Sequence, residues 1–521
     1  MAHDGERNTA VGHGLLLALA ILPVALLLLT LLTPGYGYFI DEFYYIACAK
    51  RLAFGYVDHP PLAPALLAGT RAVFGESLLA VRLLAFLATG ATVWVTGLIV
   101  RQMNGGRYAS ALAGLAAGFS PVLLAVGSFY SMNAFEPLLW TLALWLIIRL
   151  VQGGDSRLWV PVGALVGLAF ENKHTVVLYV ATLAAGILAT RARALLRDRW
   201  LWAGAAVALL VAGPNLLWQA VNGWPSIEFY RNAQLLKNVT VPRTEALLMQ
   251  VVVNNPAAAP VWLAGLLYVL VHREGRALRF GGVAFVTLLA LQVLSQSSRP
   301  DRVAGAYPFM FAAGAVAIEG WIRSLRSGRP FAGRAIAWIT PAAIVLAAAI
   351  VLPTILPLLP PEVAARYGSV LGTVQRPERG QTSPLPQLLA DRTGWESGVE
   401  DVARVFRSLP ADDQAKAVFF APSYGQAGAL EFFGPRLGLP DRVIGSHNSY
   451  WHWSVGRTNT DVLIAVDPNP DMLRELFGDV WQAGVSRCEY CMTWRRDEAI
   501  WVGRRPLMPL DRMWARMRSY I

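Results

Sequence analysis

The residues best suited to chemistry lie in two short stretches that follow the first long apolar segment of the chain. The first stretch, 38–45, contains the adjacent carboxylates Asp41 and Glu42, and the second contains Asp58 and His59. Carboxylates and a histidine at the edge of a hydrocarbon layer are costly to keep there without partners. A site that acts on a charged lipid head group needs residues of these types at that depth.

The two adjacent carboxylates are predicted to have different roles. On a helix, Asp41 and Glu42 point about 100° apart, so they cannot both face one substrate atom. We therefore expect one to be the functional group and the other to be a structural or metal-facing partner. An apolar boundary raises the pKa of a carboxyl group and makes it a better base for a hydroxyl, whereas nearby cations lower that pKa. The neighbouring aromatic residues, including Tyr45, are typical of an interfacial belt, and one of them could stack on a sugar.

Two further pairs of residues suit a phosphate or a metal. The two prolines after Asp58 and His59 restrict the backbone and hold both side chains in a fixed direction. Lys173 carries a compact point charge suited to a lipid phosphate, which His174 could share. Asp41, Asp58 and His59 are also candidate ligands of a divalent metal, although no tighter motif such as HExxH supports that interpretation.

The elements that position these residues are predicted to be membrane-spanning helices. The 521-residue chain is 55% hydrophobic and only 15% charged, with a mean hydropathy of +0.44, whereas soluble domains carry roughly 25% charged residues. About eleven apolar stretches qualify as helices that span a membrane. They lie at 11–32, 78–100, 108–126, 134–151, 158–171, 174–190, 200–219, 256–272, 280–296, 303–321 and 335–358. We therefore expect a polytopic α-helical membrane protein.

Arginine residues predict the orientation of these helices. With the N-terminus in the cytoplasm, all five cytoplasmic loops are basic, as the positive-inside rule requires. The arginines concerned are Arg101, Arg107, Arg149, Arg157, Arg191, Arg193, Arg197, Arg199, Arg273, Arg276, Arg279, Arg323, Arg326, Arg329 and Arg334. The same rule explains the net charge of +11, so nucleic-acid binding is not predicted. An odd number of spans places the C-terminal segment outside the cytoplasm.

This orientation brings a set of polar residues to the outer face, at the ends of separate helices. Besides the two stretches described above, the set consists of Asn133, Glu136, Glu171, Asn172, Lys173, His174, Asn215, Trp218, Trp224, Glu228, Arg299, Asp301 and Arg302. Ionisable residues at the boundary of several helices, all on one side, indicate one shared site. For any single residue, the alternative is a side chain that only extends to the interface.

The segment 359–521 has a different composition and is predicted to be an extracytoplasmic α/β domain. Short apolar runs at 417–421, 442–445 and 461–466 read as buried strands, and 426–433 and 471–477 read as helices. Strands that alternate with helices indicate a partly parallel sheet, and no GxGxxG loop marks a nucleotide site. The predicted domains are therefore a membrane domain at 1–358, whose first outer loop at 33–77 carries the site, and the domain at 359–521.

The cysteines predict a short disulfide rather than a redox or zinc site. Cys488 and Cys491 form a CxxC motif, but it does not open a helix after a strand, and no second CxxC completes a zinc site. A structural disulfide in an oxidising compartment is the favoured interpretation. Cys48 is expected to be a small buried residue.

The order of several motifs along the chain resembles the GT-C superfamily. The motifs are the Asp-Glu of the first outer loop, Asp-His-Pro-Pro at 58–61, Ser-Met-Asn-Ala-Phe-Glu-Pro at 131–137, Asn-Lys-His at 172–174, Pro-Asn-Leu-Leu-Trp-Gln at 214–219 and Ala-Tyr-Pro at 306–308. Over residues 30–360 the chain looks most like bacterial members of glycosyltransferase family 39. These are related to protein O-mannosyltransferases and to the lipid A aminoarabinose transferase.

The resemblance implies an integral protein of the bacterial inner membrane. Such a transferase moves a sugar from a polyprenyl-phosphate carrier to an acceptor hydroxyl, on a lipid, a glycan or a protein, outside the cytoplasm. By resemblance, Asp41 matches the catalytic base, and Asp58 and His59 match an element of the donor site. Glu136 matches an acidic residue at the top of a neighbouring helix, and Lys173 matches a basic residue near the carrier phosphate.

The remaining site residues complete this hypothesis, with one departure from the family pattern. In an inverting transfer, Lys173, His174 and Arg302 are expected to stabilise the departing phosphate, and Glu42 and Tyr45 to support the acceptor side. Close relatives tend to carry Lys-Pro-Tyr-Tyr where this chain has Arg-Pro-Asp-Arg at 299–302. The family's tyrosine roles therefore do not transfer, and the Asp-Arg pair could alter donor or acceptor choice.

Two alternatives belong to other functional classes. A transporter or flippase of a lipid-linked sugar typically shows inverted repeats and broken helices with charges near the middle of the membrane. Here the charges gather at one face and a soluble segment follows, which disfavours transport. A non-catalytic scaffold that binds cell-wall polymer would leave the clustered boundary charges unexplained.

Overall fold

The polypeptide passes back and forth between two structural units. A computed structural model describes residues 2–372 and 382–521. Unit 1 consists of Met1–Leu32, Arg82–Leu217 and Thr240–Leu358, and unit 2 of Thr33–Val81, Trp218–Val239 and Leu359–Ile521. The loop at 33–77, which the sequence analysis assigned to the membrane domain, therefore packs in the same unit as the segment that follows residue 358.

Helices make up most of the described chain. In chain order they are α1 (Ala2–Leu29), α2 (Ile40–Lys50), α3 (Leu62–Phe74), α4 (Leu78–Gln102), α5 (Arg107–Gly118), α6 (Pro121–Gly127), α7 (Met132–Val151), α8 (Trp159–Asn172), α9 (Val176–Leu188), α10 (Arg199–Val221), α11 (Pro225–Asn232), α12 (Arg243–Val253), α13 (Ala259–Leu270), α14 (Arg279–Leu294), α15 (Tyr307–Gly328), α16 (Pro330–Val351), α17 (Pro361–Leu371), α18 (Gln387–Ala390), α19 (Trp395–Ser408), α20 (Ala411–Lys416), α21 (Tyr424–Phe433), α22 (Ser449–Ser454), α23 (Pro470–Leu476) and α24 (Asp511–Trp514).

The helices confirm a polytopic membrane protein. By length and apolar composition, seven helical segments of the described chain can cross a membrane, or up to ten if each of three bent pairs counts as one span. These ten correspond to ten of the eleven stretches predicted from the sequence. The exception is 158–171, because α8 has 14 residues and is only about 21 Å long, against a hydrocarbon core of about 30 Å.

Although α8 is short, it returns the chain to the level at which α7 begins. The side-chain amide of Asn172, the last residue of α8, donates a hydrogen bond to the carbonyl oxygen of Met132, the first residue of α7, at 2.8 Å. The two helices therefore run antiparallel over most of the length of α7. As a result, the residues directly after α8 lie at the same end of unit 1 as the start of α7.

Glycines allow the helices of unit 1 to pack closely. A Cβ atom built at Gly314 of α15 would lie 1.7 Å from the carbonyl oxygen of Val261 in α13. A Cβ at Gly163 of α8 would lie 1.9 Å from the carbonyl oxygen of Gly204 in α10. Small residues at such crossings let helix backbones approach, which is how membrane helices gain van der Waals contact.

Unit 2 contains one mixed five-stranded sheet. Its strands are β1 (Ala417–Ala421), β2 (Val443–Gly445), β3 (Val462–Val466), β4 (Phe477–Arg487) and β5 (Asp497–Pro506). The order is β2-β1-β3-β5-β4, in which β2, β1 and β3 are parallel and β5 is antiparallel to both β3 and β4. The predicted partly parallel sheet is therefore confirmed, with two more strands than the sequence indicated.

Candidate active site

The first turn of α2 gives its two carboxylates separate surroundings. The Glu42 carboxylate is buried and accepts a hydrogen bond from the backbone N–H of Phe39, just before the helix, at 2.7 Å. A carboxylate in this position satisfies an unpaired amide and interacts favourably with the helix dipole. Glu42 therefore stabilises the start of α2, whereas Asp41 is half-buried and belongs to a different hydrogen-bonded group.

Asp41 is hydrogen-bonded to a tyrosine from the far end of the chain. The hydroxyl group of Tyr424, the first residue of α21, donates to Oδ1 of Asp41 at 2.7 Å. Two glycines of α21 make this approach possible: a Cβ at Gly428 would lie 2.7 Å from the Cβ of Phe43 in α2, and Gly425 is similarly close to α2. The sequence analysis did not identify Tyr424.

Asp58 has a matching tyrosine partner. The hydroxyl group of Tyr44 donates to Oδ1 of Asp58 at 2.8 Å and accepts a hydrogen bond from the backbone N–H of Ser449 at 3.1 Å. Burial, together with the negative charge of Asp58, raises the pKa of Tyr44 well above its ordinary value. Tyr44 therefore stays protonated and remains a donor to Asp58.

His59 lies in the interior of unit 2 rather than on an open face. It is 1% exposed and its ring stacks on that of Tyr45, with the ring centroids 4.6 Å apart. Its Nδ1–H donates to the carbonyl oxygen of Pro60 at 3.0 Å, and Nε2 lies 3.7 Å from Sγ of the buried Cys48. His59 and Tyr45 were both predicted as site residues. In this arrangement they hold the loop at 33–77 by packing.

The residues considered as metal ligands do not fit a metal centre. Among the side chains described at 12–372 and 382–521, no group of three or more His, Cys, Asp or Glu residues is placed to hold a metal ion. Asp41 and Asp58 each accept a hydrogen bond from a tyrosine, and Nδ1 of His59 is bonded to a backbone carbonyl. No step of the mechanism proposed below is therefore assigned to a metal.

In unit 1, two of the predicted residues form a buried ion pair. Nζ of Lys173, directly after α8, lies 2.7 Å from Oε2 of Glu136 in the first turns of α7. The hydroxyl group of Thr175 donates to the other oxygen of Glu136. Both charged side chains are buried, so each compensates for the desolvation of the other.

Two other predicted residues lie in the surroundings of this pair. Nε2 of His174 is hydrogen-bonded to Oδ1 of Asn215 in α10 at 2.9 Å. The 3₁₀ segment Pro300–Ala306 carries Asp301 and Arg302, and Asp301 lies within electrostatic range of both Arg302 and Lys173. Lys173, directly after α8, and Arg302 of this segment therefore both act on Asp301.

The two C-terminal cysteines are disulfide-bonded. The Cys488–Cys491 pair follows β4 and packs on the residues that precede α19. Gly394 has φ +71°, and a Cβ there would lie 2.5 Å from Sγ of Cys488. The disulfide therefore fixes the turn between β4 and β5 against the backbone of Gly394, which fits the structural role predicted from the sequence.

Comparison with known protein families gives a match over part of the chain. Residues 58–218 match the model of the dolichyl-phosphate-mannose-protein mannosyltransferase family. This match covers less than half of the chain and includes Asp58, His59, Glu136 and Lys173. No curated protein sequence matches the chain.

Solved structures with the same fold cover nearly the whole chain. ArnT from Cupriavidus metallidurans bound to undecaprenyl phosphate superposes with a TM-score of 0.60 at 16% sequence identity, covering 92% of this chain and 97% of ArnT. Apo ArnT gives a TM-score of 0.59 at 16% identity, with coverages of 94% and 98%. The archaeal oligosaccharyltransferase AglB from Archaeoglobus fulgidus, in complex with an inhibitory peptide and a dolichol-phosphate, gives 0.50 at 12% identity, covering 87% of this chain and 69% of AglB.

The chain is thus a multi-pass membrane protein with the GT-C fold. Residues 58–218 are similar to the dolichyl-phosphate-mannose-protein mannosyltransferase family, and the chain shares its fold with ArnT and AglB.

Proposed function

We propose that this protein is a membrane glycosyltransferase that moves a sugar from a polyprenyl-phosphate carrier to an acceptor hydroxyl. The observation that carries the proposal is the half-buried Asp41 carboxylate, held by the Tyr424 hydroxyl within a GT-C fold. A carboxylate oriented by a neutral donor keeps its negative charge for proton abstraction. The ligand-bound ArnT structure, which contains undecaprenyl phosphate, supports the choice of carrier.

The proposed reaction is a single displacement with inversion. Asp41 takes the proton of the acceptor hydroxyl as its oxygen forms a bond to the anomeric carbon of the sugar. The bond from that carbon to the carrier phosphate breaks, and its electron pair leaves with the phosphate oxygen. Because attack and departure occur on opposite sides of the carbon, the configuration at the anomeric centre is inverted.

The phosphate is assigned to the cationic residues predicted from the sequence. Charge develops on the departing oxygen, and fixed positive groups stabilise it. An ammonium group has three N–H donors, so Lys173 can donate to a phosphate oxygen while Glu136 fixes its position at 2.7 Å. We assign supporting roles to His174 and Arg302, whereas Glu42 is assigned to the stability of α2.

The proposed location is the bacterial inner membrane, with the N-terminus in the cytoplasm and residues 359–521 outside. The arginines at the predicted cytoplasmic loops support this orientation. The antiparallel return of α8 along α7, ending at Asn172, supports counting α8 as an eleventh pass. Glu136 and Lys173 then lie on the outer side, as proposed for a reaction outside the cytoplasm.

A donor panel tests this function. Purified protein in lipid nanodiscs would be incubated with polyprenyl phosphates that carry different sugars, and release of the carrier phosphate would be measured with candidate lipid, glycan and protein acceptors. We expect release from at least one donor, dependent on an acceptor. If folded protein releases no carrier phosphate, but moves the lipid-linked sugar across a liposome membrane, the transporter alternative replaces the proposal.

A further inference from the structure

We infer that the C-terminal part of unit 2 positions the two loop carboxylates, and that Tyr424 is the positioning residue that orients Asp41. This inference rests on the proposed function, because it assigns Asp41 the role of base. It gives residues 359–521 a task in the reaction that the sequence alone did not reveal. All of the residues concerned belong to unit 2.

The two carboxylates have equivalent surroundings. Asp41 accepts a hydrogen bond from Tyr424 at 2.7 Å, and Asp58 accepts one from Tyr44 at 2.8 Å. The two tyrosine rings lie 5.0 Å apart and are inclined by 31°. The arrangement is therefore a pair of neighbouring phenols, each of which donates to one carboxylate of the loop.

One short segment, 446–449, holds both tyrosines. Nδ1 of His447 accepts a hydrogen bond from the backbone N–H of Tyr424 at 3.3 Å, and the two rings lie 4.7 Å apart. The backbone N–H of Ser449 donates to the hydroxyl of Tyr44, and its Oγ accepts from the backbone N–H of Val57. This segment follows β2, so the sheet fixes the position of both donors.

The tautomer of His447 agrees with this arrangement. Nε2 of His447 lies 2.8 Å from the backbone carbonyl oxygen of Ile521, so Nε2 carries the proton and Nδ1 is the acceptor. Nδ1 therefore serves as the acceptor for the backbone N–H of Tyr424.

The segment is also held in an unusual backbone conformation. Asn448 is buried and has φ 48° and ψ −130°, a region that residues other than glycine rarely occupy. Its N–H donates to the carbonyl oxygen of Ser519 at 2.8 Å, and its Oδ1 accepts from the N–H of Ile521 at 3.2 Å. Strain of this kind persists only where the surroundings enforce it, and here it directs His447 and Ser449 towards the two tyrosines.

The hydrogen bond from Tyr424 orients Asp41. It restricts the rotation of the carboxyl group, which holds the oxygens in position for proton abstraction. Removing the hydroxyl therefore slows the chemical step, which lowers kcat and leaves the KM for donor and acceptor close to that of wild type.

The test compares Tyr424→Phe with a matched control. Tyr450→Phe removes a buried hydroxyl from another carboxylate of the same unit, Glu431, to which Tyr450 donates at 3.1 Å. The kcat and KM of transfer would be measured for wild type and both variants. We expect kcat to fall by about tenfold at unchanged KM in Tyr424→Phe, and both constants to keep their wild-type values in Tyr450→Phe. An unchanged kcat in folded Tyr424→Phe, or an equal fall in the control, overturns the inference.

A second readout separates this inference from the proposed function. Labelling of Asp41 by a carbodiimide at one fixed pH, followed by mass spectrometry, requires no turnover. If wild type transfers no sugar, the proposed function fails, and the rate of Asp41 labelling still tests the positioning. Faster labelling in Tyr424→Phe than in wild type and Tyr450→Phe supports the inference, whereas equal rates contradict it.

Discussion

The Glu136–Lys173 ion pair gives a quantitative prediction for Glu136→Gln. This substitution keeps the shape and the hydrogen-bonding oxygen of the side chain but removes its charge. The paired atoms are 2.7 Å apart, and the Lys173 and Glu136 side chains are only 9% and 6% exposed. At an effective dielectric constant of about 20, the attraction at this distance is about 6 kcal/mol before desolvation is subtracted.

The net effect is smaller, because both charges have already lost their hydration. Removing one partner of a buried pair typically costs about 3–5 kcal/mol, since the other charge remains buried and uncompensated. Asp301 lies within electrostatic range of Lys173 and offsets part of this loss. We therefore expect Glu136→Gln to lower the free energy of unfolding by about 3 kcal/mol.

A double-mutant cycle in mixed micelles measures this quantity. Unfolding by dodecyl sulfate would be followed for wild type, Glu136→Gln, Lys173→Met and the double variant. Because the double variant contains neither charge, we expect it to be more stable than the sum of the single effects predicts, by at least about 1 kcal/mol. A stability change below about 0.5 kcal/mol in Glu136→Gln, or strictly additive effects, would refute the electrostatic reasoning.

Two further predictions concern unit 2. Gly428→Ala places a methyl group 2.7 Å from a side chain of α2. We therefore expect a loss of about 1–3 kcal/mol in unfolding free energy and reduced transfer. The neutral control is Gly69→Ala in α3, where a Cβ meets nothing within 4 Å. Replacing Cys488 and Cys491 by serine opens a four-residue loop, which lowers stability by about 2 kcal/mol without changing the kcat of transfer. Thermal unfolding with and without a reductant measures the second effect, and a loss of transfer at unchanged stability would contradict it.

The sequence predicted those features that depend on local composition. The strands predicted at 417–421 and 461–466 contain the continuous apolar runs 417–421 and 462–466, because strands covered on both faces need no polar residues, and the structure confirms both strands. β4 and β5 were missed because buried and exposed positions are mixed along them and glycines interrupt the pattern. The stretch predicted at 158–171 agrees with α8, Trp159–Asn172, to within one residue at each end, but apolar composition alone does not show whether so short a helix crosses the membrane.

The candidate site was predictable only in part. The separation of Asp41 from Glu42 follows from the 3.6-residue helical repeat, and their different surroundings agree with it. The partner of Asp41 was not predictable, because Tyr424 lies 383 residues away in sequence and reaches α2 only through tertiary packing. The burial of His59 likewise depends on how its loop folds around the ring, which no local pattern shows.

The measurement that tests the account most directly is sugar transfer by Asp41→Asn. The amide keeps the size of the side chain but cannot accept the proton of the acceptor hydroxyl, so transfer should fall by at least about a hundredfold. Asp461→Asn is the control, because the Asp461 carboxylate is exposed and forms a surface ion pair with Lys416. This variant should keep full activity. With expression, membrane insertion and thermal stability equal to wild type, loss of transfer in Asp41→Asn alone is the result we predict. Full transfer by that variant would contradict the assignment of Asp41 as the base.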